Sequence, residues 1–561
     1  MMIQSWWKKL IRRTRQEVPP AHRGGRRQFR PRLEVLEERT LLSVYFVDRL
    51  GDAGAGAGPA GDLRYCLNQA TANGDVIQFN VAGTVQLNGE LPTIANDLTI
   101  LGNEAAGVTL QRGGFFGFRI LTVAPGATVA VSNLTIAGGF AADAGGGIYN
   151  AGTLTLSNST VTDNFSLGAG AGVFNAGTLT LVNSTVHGNA AAQGAGVYNA
   201  GILNVVSSTI AGNTANNQGG GLYNAGALAI RNTIVAQNLG YGGGADVYGF
   251  LDSGGHNLIG SSAGGQGYQP TDLLDVDPLL GPLRDNGGPT PTRALLPGSP
   301  AIDAGDGAGA PATDQRGRSR ISGAALDIGA FELQSLVVTS TADSGPGSLR
   351  DAIAEANRSG GNVIVIAAGG VLSLASPLPV ITGSLEIRGP GSGALTLRRD
   401  SAEPFSLFTV ATGASVSLSG LTLAEGGGVE SGAGVYNGGG LVLSDIVITG
   451  GSAAFGGGIA NFGTLTLVNS TVANSRAELA GGGILNVGTL ILINSTVAGS
   501  SASAGGGISN SGMLTLINST VTGNGADYVG GGIYNIRALV LDETSVVAGN
   551  TAPEGPDIYS L

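Results

Sequence analysis

The fold is decided by the stretch Gly146-Gly147-Ile148-Tyr149-Asn150-Ala151-Gly152-Thr153-Leu154-Thr155-Leu156-Ser157-Asn158-Ser159-Thr160-Val161, which recurs in altered copies along the chain. One Asn marks each copy, and the nine markers are Asn150, Asn175, Asn199, Asn224, Asn437, Asn461, Asn486, Asn510 and Asn535. Within each of the two arrays, successive markers lie 24 or 25 residues apart. A fixed period of this length with glycine-rich turns is typical of a solenoid.

The residues after each marker show the pattern of a half-buried strand. Leu154 and Leu156 begin two aliphatic columns that every copy keeps, and the residue between those columns is most often Thr. This period of two predicts strands with one buried face and one solvated face. Each strand finds its partner one period away, in parallel. We therefore predict an all-β fold of two tandem right-handed parallel β-helices, solenoids with 24–25 residues per coil.

The nine marker Asn residues share parity with inward apolar residues such as Ile148. A buried amide is costly unless it is hydrogen-bonded, and stacked amides can bond to one another and to the turn backbone. The markers are therefore expected to form a structural ladder inside the coils.

The repeats, of the form GGGIYN-AGTLTLSNSTVTDN, resemble those of bacterial right-handed parallel β-helix surface proteins, including the polymorphic outer-membrane protein family. The resemblance covers residues 145–245 and 430–557. It implies a pectin lyase-like fold but no single activity, because that fold serves lyases, hydrolases, adhesins and inert surface proteins.

Two related segments precede the arrays. Asp62-Leu63-Arg64-Tyr65-Cys66-Leu67-Asn68-Gln69-Ala70 aligns with residues 348–357 at an offset of 286, and the markers repeat at an offset of 287. The chain is thus an internal duplication. Both segments resemble the CSLREA motif found at the start of such β-helices. Their apolar spacing predicts short amphipathic helices that cap the first coil of each β-helix.

A Pro- and Asp-rich stretch separates the two arrays. Residues 275–292 and 296–332 resemble the choice-of-anchor Q segment of surface β-helix proteins. We predict four parts: a basic export leader at 1–43, disordered or removed; a first β-helix at 44–246; a cap segment at 247–335; and a second β-helix at 336–561.

Charge is unevenly distributed. The first 39 residues hold eleven Lys and Arg and four Glu, a net charge of +7 against −11 for the whole chain, which leaves −18 for the remainder. A basic head can bind nucleic acid or anionic lipid, or it can be an export leader. Residues 30–43 resemble an N-terminal motif of large exported bacterial proteins, which favours export. No apolar run is long enough to span a membrane.

Candidate sites are few. The residues before the first four markers point outward as an aromatic column that sugars could stack on, or that stabilises the strands by self-stacking: Tyr149, Phe174, Tyr198 and Tyr223. Asp303, Asp306 and Asp314 are candidate calcium ligands, against an interpretation as solvated or turn-capping residues. No acid in the arrays has a second acid one period away, so no catalytic carboxylate pair is predicted there.

These observations favour an exported cell-surface or extracellular structural or adhesive protein without a recognisable catalytic site. Its localisation would be secreted, or associated with the cell surface or outer membrane. Its expected partners are extracellular polysaccharide or cell-envelope components, with no nucleic acid and no cofactor other than calcium. The alternative is a polysaccharide lyase or glycoside hydrolase of the pectate-lyase-like type.

Overall fold

The computed structural model describes residues 43–114, 116–296 and 298–561. Over these residues the chain winds into a right-handed solenoid of about 19 stacked parallel coils. The all-β fold and the coil repeat predicted from the sequence are therefore confirmed. The predicted leader lies outside the described residues except for Ser43, and the division into four parts stays a prediction.

Four sheets form the walls of the first β-helix. Sheet A contains Gly56–Ala57, Ala60–Gly61, Val44–Val47, Asp75–Phe79, Leu98–Leu101, Thr128–Ser132, Thr153–Ser157, Thr178–Val182, Ile202–Val206, Ala227–Arg231 and Asp252–Ser253. Sheet B contains Gly83–Leu87, Val108–Arg112, Leu134–Ala137, Thr160–Thr162, Thr185–His187, Thr209–Ala211, Ile234–Ala236, Leu258–Ile259 and Leu273–Leu274. Sheet C contains Leu121–Val123, Ile148–Asn150, Val173–Asn175, Val197–Asn199, Leu222–Asn224, Val247–Phe250 and Gly265–Gln266. Sheet D contains Phe140–Ala141, Phe165–Ser166, Ala190–Ala191, Thr214–Ala215 and Leu239–Gly240.

The second β-helix repeats this plan. Sheet A′ contains Gln334–Val338, Asn362–Ile366, Ser384–Arg388, Ser415–Ser419, Gly440–Ser444, Thr464–Val468, Thr489–Ile493, Met513–Ile517 and Ala538–Leu541. Sheet B′ contains Gly370–Leu374, Leu395–Arg399, Thr422–Ala424, Val447–Thr449, Thr471–Ala473, Thr496–Ala498, Thr520–Thr522 and Val546–Ala548. Sheet C′ contains Phe408–Val410, Val435–Asn437, Ile459–Asn461, Ile484–Asn486, Ile508–Asn510, Ile533–Asn535 and Ile558–Ser560. Sheet D′ contains Gly427–Ser431, Ser452–Phe455, Arg476–Ala480, Ser501–Ala504 and Gly525–Val529.

Side chains stack on equivalent side chains from coil to coil. Leu465 pairs in register with Leu490, and Leu490 with Leu514. All three are at most 1% exposed. Since each coil presents the same inward residues to the coil above, one continuous apolar core runs along each β-helix.

Two short α-helices precede the regular coils, as predicted. α1 (Leu63–Gln69) begins at Asp62, whose side chain accepts from the Tyr65 N–H. α2 (Leu349–Ser359) begins at Ser348, which accepts from the Asp351 N–H in the same way. Such N-caps satisfy otherwise unpaired amides at a helix start. Each helix buries its apolar side in the core of its own β-helix.

The segment between the arrays lies along the side of the first β-helix. Residues up to Leu274 still add strands to sheets A, B and C, and one antiparallel pair follows, Leu280–Arg284 with Thr292–Leu295. The remainder covers the outer face of sheet B. A separate apolar cluster there joins Ile234 of the first β-helix, Phe331 of the segment and Val363 of the second β-helix. Residues 275–333 therefore contact both β-helices.

Candidate functional site

The predicted aromatic residues form one continuous column on the outer face of sheet C. Ring centroids lie 5.2 Å apart from Tyr149 to Phe174, 5.2 Å from Phe174 to Tyr198 and 4.8 Å from Tyr198 to Tyr223. The strands pair in register, so equivalent rings are held one coil apart. Tyr248 extends the column, 5.0 Å beyond Tyr223.

The stacking geometry determines what this column can bind. Adjacent rings are inclined by only 5–20°, so the neighbouring ring covers each inner face. At one end the Arg119 guanidinium lies 5.1 Å from the Tyr149 ring centroid, where a cation–π contact forms. The exposed parts are therefore ring edges and a row of hydroxyls. Burial beside Tyr223 raises the pKa of Tyr198, which keeps that hydroxyl a neutral donor.

A glycine column allows the rings to pack against the chain. Gly194 has φ of +56°, and a Cβ added there would lie 2.9 Å from Cβ atoms of Tyr198 and Tyr223. Both the left-handed conformation and the close approach favour glycine. The second β-helix lacks a comparable column, and its stacked pairs are Tyr436 with Phe462 and Tyr534 with Tyr559.

The marker asparagines are buried and linked from coil to coil. Asn150 Nδ2 donates to Asn175 Oδ1 at 2.8 Å, and Asn175 donates to Asn199 at 2.7 Å. The second β-helix repeats the arrangement from Asn437 through Asn461 at 2.7 Å. Each marker Nδ2 within these runs also donates to a backbone carbonyl of the next coil, for example that of Thr178.

A second ladder was not recognised in the sequence. Asn164, Asn189, Asn213 and Asn238 donate in turn, each at 2.9 Å to the next Asn. Asn238 then donates to Asp246 at 2.8 Å. A carboxylate only accepts when ionised, so it ends a row of donors without leaving an unpaired group. The constant spacing of these asparagines was the available signal.

Asp246 also borders a surface hollow of about 300 Å³ that Asp275 and Asp277 help to line. Burial raises the pKa of Asp246 to about 6, against the lowering effect of hydrogen bonds from Asn238 and Ser261. Hydrogen bonds from the backbone N–H and hydroxyl of Ser262 lower the pKa of Asp275. Two carboxyl groups with oppositely shifted pKa values are the pattern of a general acid and base.

The candidate calcium ligands have separate partners. Asp306 pairs with Arg231, and Asp314 lies 2.7 Å from Arg316. Asp303 accepts from the Ala325 N–H at 3.0 Å. No cluster of three or more acidic, His or Cys side chains suited to a metal was found in the part of the chain that the structure describes. The proposed calcium role stays a prediction.

Cys66 and His187 serve packing. Cys66 is fully buried, and burial raises the pKa of its thiol to about 11. His187 lies on the outer face of sheet B, half-buried, with Nδ1 2.7 Å from the Ala211 carbonyl oxygen. Burial lowers the pKa of His187. Within the described ranges, neither helix is long and apolar enough to cross a membrane.

Comparisons with known proteins give little. No family model matches the chain, and no curated protein matches it. Among solved structures, it is similar to a mutant of the PL6 family alginate lyase AlyGC. That similarity has 12% sequence identity and a TM-score of 0.24, over 89% of this chain and 97% of that one.

Proposed function

We propose that this protein is an exported, extracellular or cell-surface β-helix scaffold of the structural and adhesive class. The observation that carries the proposal is the aromatic column of sheet C, five rings held in one line over about 20 Å. The rigid walls of the solenoid fix this row in place. A row of identical groups at one constant spacing suits a partner that is itself a repeating polymer.

The proposed partner is an extracellular polysaccharide or another component of the cell envelope. Because the ring faces are covered, contact is made through the ring edges and the hydroxyls of Tyr149, Tyr198, Tyr223 and Tyr248. Tyrosine combines an apolar body with a polar tip and is suited to such a surface. The proposed binding is weak per coil and gains strength from many coils acting together.

Affinity electrophoresis of the whole protein in gels with neutral or acidic polysaccharides tests this proposal. The double variant Tyr198→Phe, Tyr223→Phe keeps the stacked rings and removes two hydroxyls. We expect at least about a tenfold loss of affinity, since hydrogen bonds of about 1 kcal/mol each are removed. The matched control, Tyr534→Phe with Tyr559→Phe, changes the second β-helix and leaves affinity unchanged. Absence of binding to every polymer, or equal binding by both doubles, contradicts the proposal.

Export is tested separately. Cell fractionation with N-terminal sequencing is expected to find the protein outside the cytoplasm and to reveal whether residues 1–43 are retained. Retention in the cytoplasm bound to nucleic acid would instead support the other interpretation of the basic head, and would overturn the proposed localisation.

A second candidate function is hydrolysis of a polysaccharide at the hollow beside Asp246 and Asp275. Their carboxylates accept from the adjacent N–H groups of Ser261 and Ser262, at 2.6 and 2.8 Å. The carboxylates therefore lie no more than about 9 Å apart, since neighbouring backbone nitrogens are less than 4 Å apart. Glycosidases place their two carboxyl groups about 5–9.5 Å apart.

In this candidate reaction Asp246 donates the proton to the leaving oxygen and Asp275 activates water. Release of products from neutral or acidic polysaccharides, with and without calcium, is the measurement. Asp275→Asn is expected to abolish release, whereas Asp445→Asn on the second β-helix leaves it unchanged. Release that survives Asp275→Asn rules out this site.

A further inference from the structure

The chain contains one wall that is covered by its own segment and an equivalent wall that is open. The covered wall is the outer face of sheet B, with Thr160, Thr185 and Thr209 in one column followed by Ile234. The three threonines are at most 1% exposed. The bonds that bury them come from residues 289–333.

The covered wall is held by a specific set of hydrogen bonds. The Gln315 amide bridges two coils, since its Nε2 donates to Thr160 at 2.9 Å and its Oε1 accepts from Thr185 at 2.7 Å. The Ala330 N–H donates to Thr209 at 3.0 Å. The segment thus reads three consecutive hydroxyls, one per coil.

The turn beside this column is read as well. Asn183 lies in that turn with φ of +47°, and Arg320 Nη2 donates to Asn183 Oδ1 at 2.7 Å. Asn183 Nδ2 in turn donates to the Thr313 carbonyl at 2.7 Å. Arg320 is 2% exposed, so this contact is part of the packed interface.

The same columns recur on sheet B′ at a constant offset of 311. Thr471, Thr496 and Thr520 correspond to the three covered threonines, and Val546 follows where Ile234 stands. The turn column recurs in the list Asn469, Asn494 and Asn518, with φ of 48–50°. These asparagines are exposed and the threonines are half-buried. No described residue covers them as residues 289–333 cover sheet B.

We infer that this open wall, defined by Thr471, Thr496, Thr520 and the turn asparagines, is a docking site for a segment of a partner polypeptide built like residues 289–333. The occupant would carry a glutamine amide that bridges two coil hydroxyls and an arginine directed at Asn494. A further backbone N–H would reach Thr520. The covered wall of the same chain shows that these columns accept such a segment in full contact.

Sequence differences between the walls are compatible with this occupant. The second outward column of sheet B contains Ala211 and Ala236, both fully buried under the segment. The corresponding positions of sheet B′ are Thr522 and Ala548. These small side chains leave room for close approach of another chain.

The first test measures thiol labelling in the full chain, with Cys66→Ala as background. Thr496→Cys is expected to react with a maleimide at least about a hundredfold faster than Thr185→Cys, because only the latter is covered. Equally slow labelling at both positions in a monomeric protein would show that the wall is already occupied in cis, and would overturn the inference.

The second test supplies an occupant. A copy of residues 249–335 is joined after Tyr559 of the full chain, at the place where Tyr248 precedes the segment in the first half. Labelling of Thr496→Cys is expected to fall at least tenfold. A control copy, in which the residues equivalent to Gln315 and Arg320 are Ala, restores fast labelling.

Two results of this second test would overturn the inference. One is unchanged labelling with the intact copy. The other is equal protection by the control copy, which would mean that the wall lacks the proposed recognition. Light scattering of the unextended chain completes the design: a dimer that Thr496→Arg dissociates would identify a second copy as the occupant, and would also overturn the inference.

Discussion

The asparagine ladder makes a quantitative prediction at Asn486, which is fully buried. Its Nδ2 donates to Asn510 Oδ1 at 2.7 Å and to the Met513 carbonyl at 2.9 Å. Its Oδ1 accepts from Asn461 Nδ2 at 2.8 Å. Asn486→Ala removes these three bonds and leaves buried groups on the neighbouring coils short of a partner. We expect a loss of about 3–5 kcal/mol in the free energy of unfolding.

The assay must be local, because repeat arrays can unfold in parts. Hydrogen exchange of the amides in Ile484–Asn486 and Ile508–Asn510 reports opening of the affected coils, and a guanidinium titration followed by circular dichroism reports the whole array. The control is Thr515→Ala, an outward position on a neighbouring strand, with an expected cost of about 0.5 kcal/mol. Asn486→Asp should cost more than Asn486→Ala, since a carboxylate there faces Asn510 Oδ1 and cannot donate. If Asn486→Ala destabilises no more than Thr515→Ala, the ladder contributes nothing and the reasoning is refuted.

Three further changes test other parts of the structure. Burial raises the pKa of Glu332 to about 8, so the folded state keeps a proton that the unfolded state loses above about 4.5. Stability therefore falls as pH rises between these values, and guanidinium midpoints at pH 5 and 8 should differ less in Glu332→Gln. Gly194→Ala combines a left-handed φ of +56° with a clash on the aromatic column. It should cost about 2 kcal/mol or more by thermal unfolding, whereas Gly89→Ala meets open space and should be near neutral. Arg316→Ala leaves its buried carboxylate partner without a cation and should cost about 3–5 kcal/mol, measured by limited proteolysis of the segment as well as by unfolding. Unchanged values in any of the three would contradict the corresponding contact.

The sequence predicted the parts of the fold that repeat. Column identity at a constant period determined the strand register, the inward leucines and the marker ladder, because each coil has the same neighbours. The fourth strand of each coil was missed. Phe165–Ser166 is only two residues long, and a two-residue strand shows no alternation of apolar and polar residues. The sequence analysis had therefore expected three strands per coil rather than four.

The candidate site was predicted less completely, for reasons of chain topology. The four aromatic residues were found because they occupy one column, and Tyr248 was missed because its strand lacks the marker Asn. Asp246 and Asp275 lie where the regular repeat ends, so no period relates them. Gln315 contacts Thr160 across 155 residues of sequence. Contacts of this kind depend on how an irregular segment folds back, and composition alone does not determine that.

The two halves of the chain are related by two different offsets, and this explains why the open wall persists. Counted from the first markers, Asn150 corresponds to Asn437, an offset of 287; counted from the last coils, Asn224 corresponds to Asn535, an offset of 311. The second array thus contains one additional coil. An added coil preserves every coil-to-coil contact, since each coil contacts only its neighbours. A docked segment is different, because it reads several coils at once and fixes which hydroxyl stands in which order. The succession of three threonines and a β-branched aliphatic residue is retained when counted from the last coils, which is the register a docked segment requires.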